Sequence, residues 1–317
     1  MLTATIKFAR LRIVATCYAL VFVGSAAVGT IGPKTVLGLG LVIALIVHAN
    51  SINDWSDREI DRINLRTAGD RPLVTGDISQ GRFWLLHVLS ALVALALAAF
   101  YGPRVWWVTL AVLVVDYAYS LPPLRLTNRP LLSPLLLAAS YTGYSLAIGV
   151  GAAAPSSGYP WSLAGALSLG FVARLLLKDF RDVSGDRRHG KHTFLIRYGA
   201  RATVRASGLC AAGAAVWLAV LSEWSPGVVA FLGLATVSGI VWLERLPESE
   251  PSRQERLVRM IARAANYSLV VFLAHLLGQH QPNLTPDEWL VIPLVTAAML
   301  VLLLGALQLR ESGLVRD

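Results

Sequence analysis

The chain has 317 residues, of which 55% are hydrophobic and 15% charged, with a net charge of +9 and a mean hydropathy of +0.59. A soluble domain carries about a quarter charged residues, so this composition excludes a string of soluble domains. It points to a polytopic membrane protein built as a single helical bundle.

Ten apolar segments follow in chain order: 10–32, 35–53, 82–101, 104–121, 131–153, 160–181, 202–222, 226–245, 258–280 and 287–309. Most approach the ~20 residues that a ~30 Å hydrocarbon layer requires. They are predicted as helices because a spanning segment must satisfy its backbone hydrogen bonds internally. Short links such as 101-YGP-103 and 223-EWSPG-227 join successive segments into hairpins. The first segment lacks a small-residue cleavage site and does not read as a signal peptide. Cys17 and Cys210 both lie inside apolar runs and read as small core residues, without metal-ligand spacing or a disulfide.

The basic residues orient the bundle. With the N-terminus inside, 26 of the 28 Lys and Arg residues fall in inside regions, and only Lys34 and Arg104 fall outside. The positive-inside rule therefore accounts for most of the net charge, and nucleic-acid binding has no place. The inside loops 54–81 and 182–201 are long, polar and charged, whereas the outside loops are short. Function is expected on the cytosolic face, in the loops after segments 2 and 6.

Two acidic clusters occupy those loops. Asp54, Asp57 and Asp61 are spaced i, i+3, i+7, which places them on one helix face. Asn50 lies one turn earlier on the same stripe, and Glu59 lies off it. Asp179, Asp182 and Asp186 repeat the spacing 125 residues later. Both clusters end even-numbered segments, so both belong to the same side of the membrane and face one cavity. Carboxylates so gathered repel one another unless cations are present. Hard oxygen ligands suit Mg²⁺, which often shares its coordination with a substrate phosphate. Two carboxylate banks around Mg²⁺ make a diphosphate site, with Arg71, Lys178 and Arg181 available to the remaining phosphate charge.

With these motifs the chain resembles the UbiA superfamily of intramembrane prenyltransferases, in the manner of the 4-hydroxybenzoate polyprenyltransferases. The superfamily's N-D-x-x-D-x-x-x-D is matched by 53-NDWSDREID-61, and its D-x-x-x-D by 182-DVSGD-186. The stretches 70-DRPLVTGDIS-79 and 119-YSLPPLRL-126 add weaker support. The resemblance covers roughly residues 10–280 of a single domain over 1–317, with 287–309 an extra C-terminal helix.

The resemblance implies an all-α, polytopic transmembrane bundle of nine to ten helices around a central cavity that opens to the cytosolic side. It implies a multi-pass integral membrane enzyme that moves a prenyl group from an allylic prenyl diphosphate to a small, aromatic acceptor, as in quinone biosynthesis. The reaction passes through an allylic carbocation and uses Mg²⁺. Position by position, Asp54, Asp57, Asp61, Asp182 and Asp186 are the expected catalytic metal ligands. Asp179 either joins them or orients the acceptor and takes its proton. Asn50, Asn53, Arg71, Tyr119, Arg125, Arg174 and Lys178 are the expected substrate contacts. Tyr119 and Tyr141 offer π faces to the cation. His48 reads as a packed core histidine, and His189 and His192 carry no assigned role.

Two other readings keep the same site: a glycerol- or sugar-phosphate acceptor, and cyclisation of the prenyl chain with no acceptor. A secondary transporter with duplicated halves is the reading from another class. The 125-residue offset suits a repeat. Transporters, however, place coupling residues in broken helices near the bilayer midplane, and these carboxylates sit at helix ends.

Overall fold

The structure, a computed structural model, describes residues 2–29, 31–64, 71–180 and 183–221, together with single helical positions between 236 and 276. Among the described residues the regular structure is helical, as the hydropathy pattern predicts. The helices are α1 (Leu2–Ala9), α2 (Leu11–Ala26), α3 (Pro33–Ser56), α4 (Arg58–Asn64), α5 (Pro72–Thr75), α6 (Gln80–Tyr101), α7 (Pro103–Ser120), α8 (Leu132–Ala153), α9 (Trp161–Lys178), α10 (Val183–Arg188) and α11 (Phe194–Leu221).

Five of these, α3, α6, α8, α9 and α11, are long and apolar enough to cross a membrane. Their boundaries follow local chemistry. Proline opens both α3 and α7, where its missing N–H costs no hydrogen bond. Between α6 and α7 the chain reverses at Gly102, whose φ of 104° suits a residue without a Cβ. Outward-facing Leu85, Leu92, Trp107, Val114, Leu135, Leu209 and Val216 are exposed, as a lipid-facing belt requires.

Apolar burial drives little association between helices inside a bilayer, because lipid tails are as apolar as leucine. Close backbone approach and buried polar bonds do that work instead. The α2–α8 contact is an example. A Cβ at Gly149 would stand 2.1 Å from the Val21 carbonyl oxygen, and one at Gly24 would stand 2.6 Å from that of Leu146. The same pair is tied by Ser25 Oγ, which donates to the Gly149 carbonyl at 3.0 Å. On the other side of α3, His87 of α6 bonds Ser51 and the Tyr117 hydroxyl, each at 2.7 Å. His48 is fully buried and stacks on His87 with ring centroids 4.2 Å apart, a packed histidine.

The structure revises the segment map in four places. Segment 10–32 contracts to α2, and a separate helix, α1, precedes it and packs on α3. The break falls at Arg10, a non-glycine residue with φ of 44°. The two long inside loops are not irregular, for they contain α4, α5 and α10. Their runs are too short and too polar to register as apolar periodicity. Segment 202–222 starts earlier, as α11, with an interruption at Gly199 (φ 82°). Segments 226–245 and 258–280 are represented by single helical positions, and 287–309 lies outside the described residues.

For the site, the arrangement that matters is that α4, which continues the first acidic motif, packs against α10, which carries the end of the second.

Candidate active site

The first motif straddles a helix junction. Asp54 sits on the last turn of α3, Asp57 is the residue between α3 and α4, and Asp61 lies in α4. The hydrogen-bond ladder runs on across the junction. The Asp57 N–H donates to the Asn53 carbonyl at 2.9 Å, and the Asp61 N–H to the Asp57 carbonyl at 2.8 Å. That continuity is why the i, i+3, i+7 stripe survives as one wall.

All three carboxylates are buried, and so is Asp186 on α10, at 3% exposure. Taking an isolated carboxylate out of water costs several kcal/mol, so each needs a cation. Arg10 reaches Asp54 across the turn between α1 and α2. Arg71, just before α5, donates from Nε to Asp61 at 2.8 Å and lies 3.6 Å from Asp54. Arg125 approaches Asp57 at 3.3 Å. Lys191 donates to Asp57 at 2.9 Å and lies 3.8 Å from Asp186. It thereby ties the two acidic motifs together.

The electrostatics of this cluster are tense. Burial, helped by Asp54 and Asp57, pushes the Asp61 carboxyl up to about 6 even with Arg71 beside it. Burial works against the Lys191 ammonium, yet Asp57 and Asp186 more than offset it and raise its pKa.

The expected residues divide into groups. The structure gathers Asp54, Asp57, Asp61, Asp186, Arg71 and Arg125 into one cluster. Asn53 joins it, with its amide donating to Asp57 at 3.4 Å. Asn50 is buried, and its amide donates to the Phe8 carbonyl at 2.8 Å, so it anchors α1. Buried Tyr119 shares a 2.9 Å hydroxyl hydrogen bond with Ser133. Arg174 is held inside α9 over the Phe171 ring, its guanidinium 5.8 Å from the centroid. Lys178 is exposed at the last residue of α9, and Asp179 caps that helix. Asp182 and Arg181 lie outside the described residues.

Two members of the cluster were not expected. Arg10 and Lys191 were absorbed into the positive-inside count, where any cation serves equally. Their separations of 44 and 134 positions from their carboxylate partners leave no local signature.

The donor set fits a hard divalent cation: it is all oxygen, buried, and incompletely compensated at Asp61. Among the described residues, however, no three such side chains converge on one metal position. Arg10, Arg71 and Lys191 hold the carboxylates instead.

Residues 13–270 match the UbiA prenyltransferase family. The chain belongs to that family. Its members are prenyltransferases, and this chain is one: an integral membrane enzyme, as its apolar helices require. It is 28% identical over 240 residues to the digeranylgeranylglyceryl phosphate synthase of Methanospirillum hungatei, covering 74% of this chain and 83% of that protein. It is 30% identical over 182 residues to the bacteriochlorophyll synthase 34 kDa chain of Chloroflexus aurantiacus, covering 56% and 58%. Among solved structures, the UbiA homologue of Aeropyrum pernix K1 superposes with a TM-score of 0.66 at 21% identity, covering 83% of this chain and 97% of that one. A UbiA homologue from Archaeoglobus fulgidus, solved with GPP and Mg²⁺ bound, gives a TM-score of 0.61 at 16% identity, covering 87% and 99%. At these identities the superpositions establish the shared fold.

Proposed function

We propose that this UbiA-family enzyme transfers a prenyl group from an allylic prenyl diphosphate to a small aromatic acceptor in a Mg²⁺-dependent reaction within the membrane. The observation that carries the reading is the buried carboxylate cluster in which Lys191 bridges Asp57 and Asp186, so that α3–α4 and α10 face one another. The Archaeoglobus homologue solved with GPP and Mg²⁺ supports the donor and the metal.

In this reading Asp54, Asp57, Asp61, Asp182 and Asp186 hold the metal, and Asp179 completes the rim or orients the acceptor. When bound, Mg²⁺ neutralises charge as it builds on the leaving diphosphate. Arg10, Arg71 and Lys191 turn from the carboxylates toward the diphosphate oxygens, with Arg125, Arg174 and Lys178 supplying further positive charge around the donor and acceptor. An apolar chamber beneath the cluster would keep water from the allylic cation. Tyr119 and Tyr141 present their π faces to it. Asn50, through its bond to Phe8, keeps α1 and Arg10 in place over the donor, and Asn53 steadies Asp57. The N-terminus and the two motif loops lie on the cytosolic side, where the basic residues concentrate.

A glyceryl phosphate acceptor is the second reading. It is favoured by relatives with that named product in Methanospirillum hungatei and Methanoculleus marisnigri, which match 74% and 68% of this chain. The test is an assay of purified protein in detergent or liposomes with Mg²⁺, a series of prenyl diphosphates, and 4-hydroxybenzoate or geranylgeranylglyceryl phosphate. Diphosphate release with an alkylated acceptor supports the proposal, and the acceptor consumed chooses between the readings. Absence of release with every donor, with Asp54→Asn and Asp57→Asn indistinguishable from the parent, sinks it.

A further inference from the structure

A further carboxylate, half-buried, belongs to neither acidic motif. Asp116 lies in α7, one turn before its end. Val105, Thr109, Val112 and Tyr119 form the buried stripe of that helix, while Trp107, Ala111 and Val114 face outward. At 100° per residue, Asp116 falls in the middle of the buried stripe, opposite the outward face. It nevertheless keeps partial exposure. Its partial exposure is thus on the inward side of the helix and not on the outward, lipid-facing one.

The carboxylate is incompletely satisfied there. Its Oδ2 is buried and has no hydrogen-bond partner among the described residues. The motif carboxylates Asp54, Asp57, Asp61 and Asp186 each have an Arg or Lys beside them. No Lys or Arg among the described residues pairs with Asp116. An ionisable side chain inside a membrane bundle is expensive to keep and marks a working position.

Its depth can be placed. Ser56 Oγ donates to the Ser120 carbonyl at 2.6 Å, which sets the end of α7 level with the end of α3 and its Asp54–Asp57 wall. Asp116 is four residues back from Ser120, or about 6 Å deeper at 1.5 Å per residue. On the prenyltransferase reading this puts it below the diphosphate, on the side where the prenyl C1 would meet its acceptor.

We propose that Asp116 is the proton acceptor of the transfer step, taking the proton that leaves the acceptor as the new bond forms. The inference rests on the prenyltransferase reading above. The C1–O bond to the diphosphate breaks, and the electron pair leaves with the diphosphate. The acceptor's oxygen or ring carbon bonds to C1. The proton displaced from that acceptor passes to the Asp116 carboxylate and then to water as product departs. A general base contributes on the order of 10² to 10⁴ in rate. It also assigns the acceptor class: a neutral hydroxyl-bearing group that can donate a hydrogen bond to Asp116 before it reacts.

The test compares Asp116→Asn, Asp116→Glu and Glu59→Gln with the parent, using Mg²⁺, geranyl diphosphate, and either 4-hydroxybenzoate or geranylgeranylglyceryl phosphate. Diphosphate and alkylated acceptor are measured in the same reaction. Asp116→Asn is expected to release diphosphate within about threefold of the parent rate while alkylated acceptor per diphosphate falls about tenfold or more, the donor ending as prenyl alcohol. Asp116→Glu restores the ratio at least in part, and Glu59→Gln, at an exposed acid off the motif stripe, leaves it intact. The inference is overturned if Asp116→Asn keeps the parent ratio. It is also overturned if release and alkylation fall together, as for a structural residue, or if the parent releases diphosphate yet alkylates neither acceptor. A parent that releases no diphosphate from any donor removes the proposed function itself, and this inference with it.

Discussion

The Lys191 ammonium lies 2.9 Å from the Asp57 carboxylate, joining positions 134 residues apart in the chain. With Asp186 at 3.8 Å on its other side, this lysine stands between the two acidic motifs. It holds the motifs together and, if Asp57 is the metal ligand proposed above, would compete with the metal for it.

Replacing Lys191 should separate these two effects. Lys191→Met is expected to bind Mg²⁺ about threefold to tenfold more tightly in the absence of donor, since removal of a charge-assisted partner is worth ~0.7–1.4 kcal/mol. The same variant should be inhibited more weakly by inorganic diphosphate. Calorimetric titration with Mg²⁺ and an inhibition series with diphosphate measure the two shifts, which must run in opposite directions.

Asp54→Asn and Asp57→Asn should each lower diphosphate release by about 10² or more, the scale of losing one electrostatic contact to a leaving group. Asp54→Asn leaves Arg10 and Arg71 with one fewer anionic partner, and Asp57→Asn does the same to Arg125 and Lys191. Size-exclusion profile and melting temperature should show the protein folded while the rate is lost.

The metal-free protein should lose stability as pH rises from about 4 to about 6. The Asp61 carboxyl is raised from 3.8 to about 6 in the fold, so the folded state binds its proton more tightly than the unfolded chain. That contribution is complete below the unfolded value and disappears as pH passes through the folded one. Melting curves in EDTA across this range should show the decline. Asp61→Asn should flatten it, and saturating Mg²⁺ should remove it.

Gly149→Val should impair assembly rather than chemistry. Its Cβ would meet the Val21 carbonyl oxygen at 2.1 Å, so α2 and α8 must separate. Overpacking of this kind costs about 1–3 kcal/mol or more. The yield of monodisperse protein and its melting temperature should drop. Val21 sits in the main core beside Leu41 and Ile148, so no flexible side-chain end can relieve the clash.

Much of the site was legible because its signals are local. The stripe through Asn50, Asp54, Asp57 and Asp61 follows from helical spacing, and the hydrogen bonds across the α3–α4 junction preserve it. The match of Asp179 and Asp186 to that spacing identified the second motif, although Asp182 lies outside the described residues. Asn50 lies on the expected stripe, and its bond to Phe8 had no signal along the chain, because α1 is too short to register as a long apolar run. Asp116 was missed for a related reason. A lone acid in a hydrophobic segment has no spacing to betray it.

The sequence by itself determined the class of molecule and its motifs. Hydropathy and charge asymmetry act along the chain, and a membrane leaves a helix little choice of partner for its own backbone. Only the tertiary structure decided which cations meet which carboxylates: Arg10 with Asp54, Arg71 with Asp61, and Lys191 between Asp57 and Asp186. Those pairings depend on where α1, α5 and α10 close over the end of α3. The same packing turned Asp116 into the interior. A charge's partner and its access to water are properties of three-dimensional neighbourhoods, which spacing along one helix does not encode.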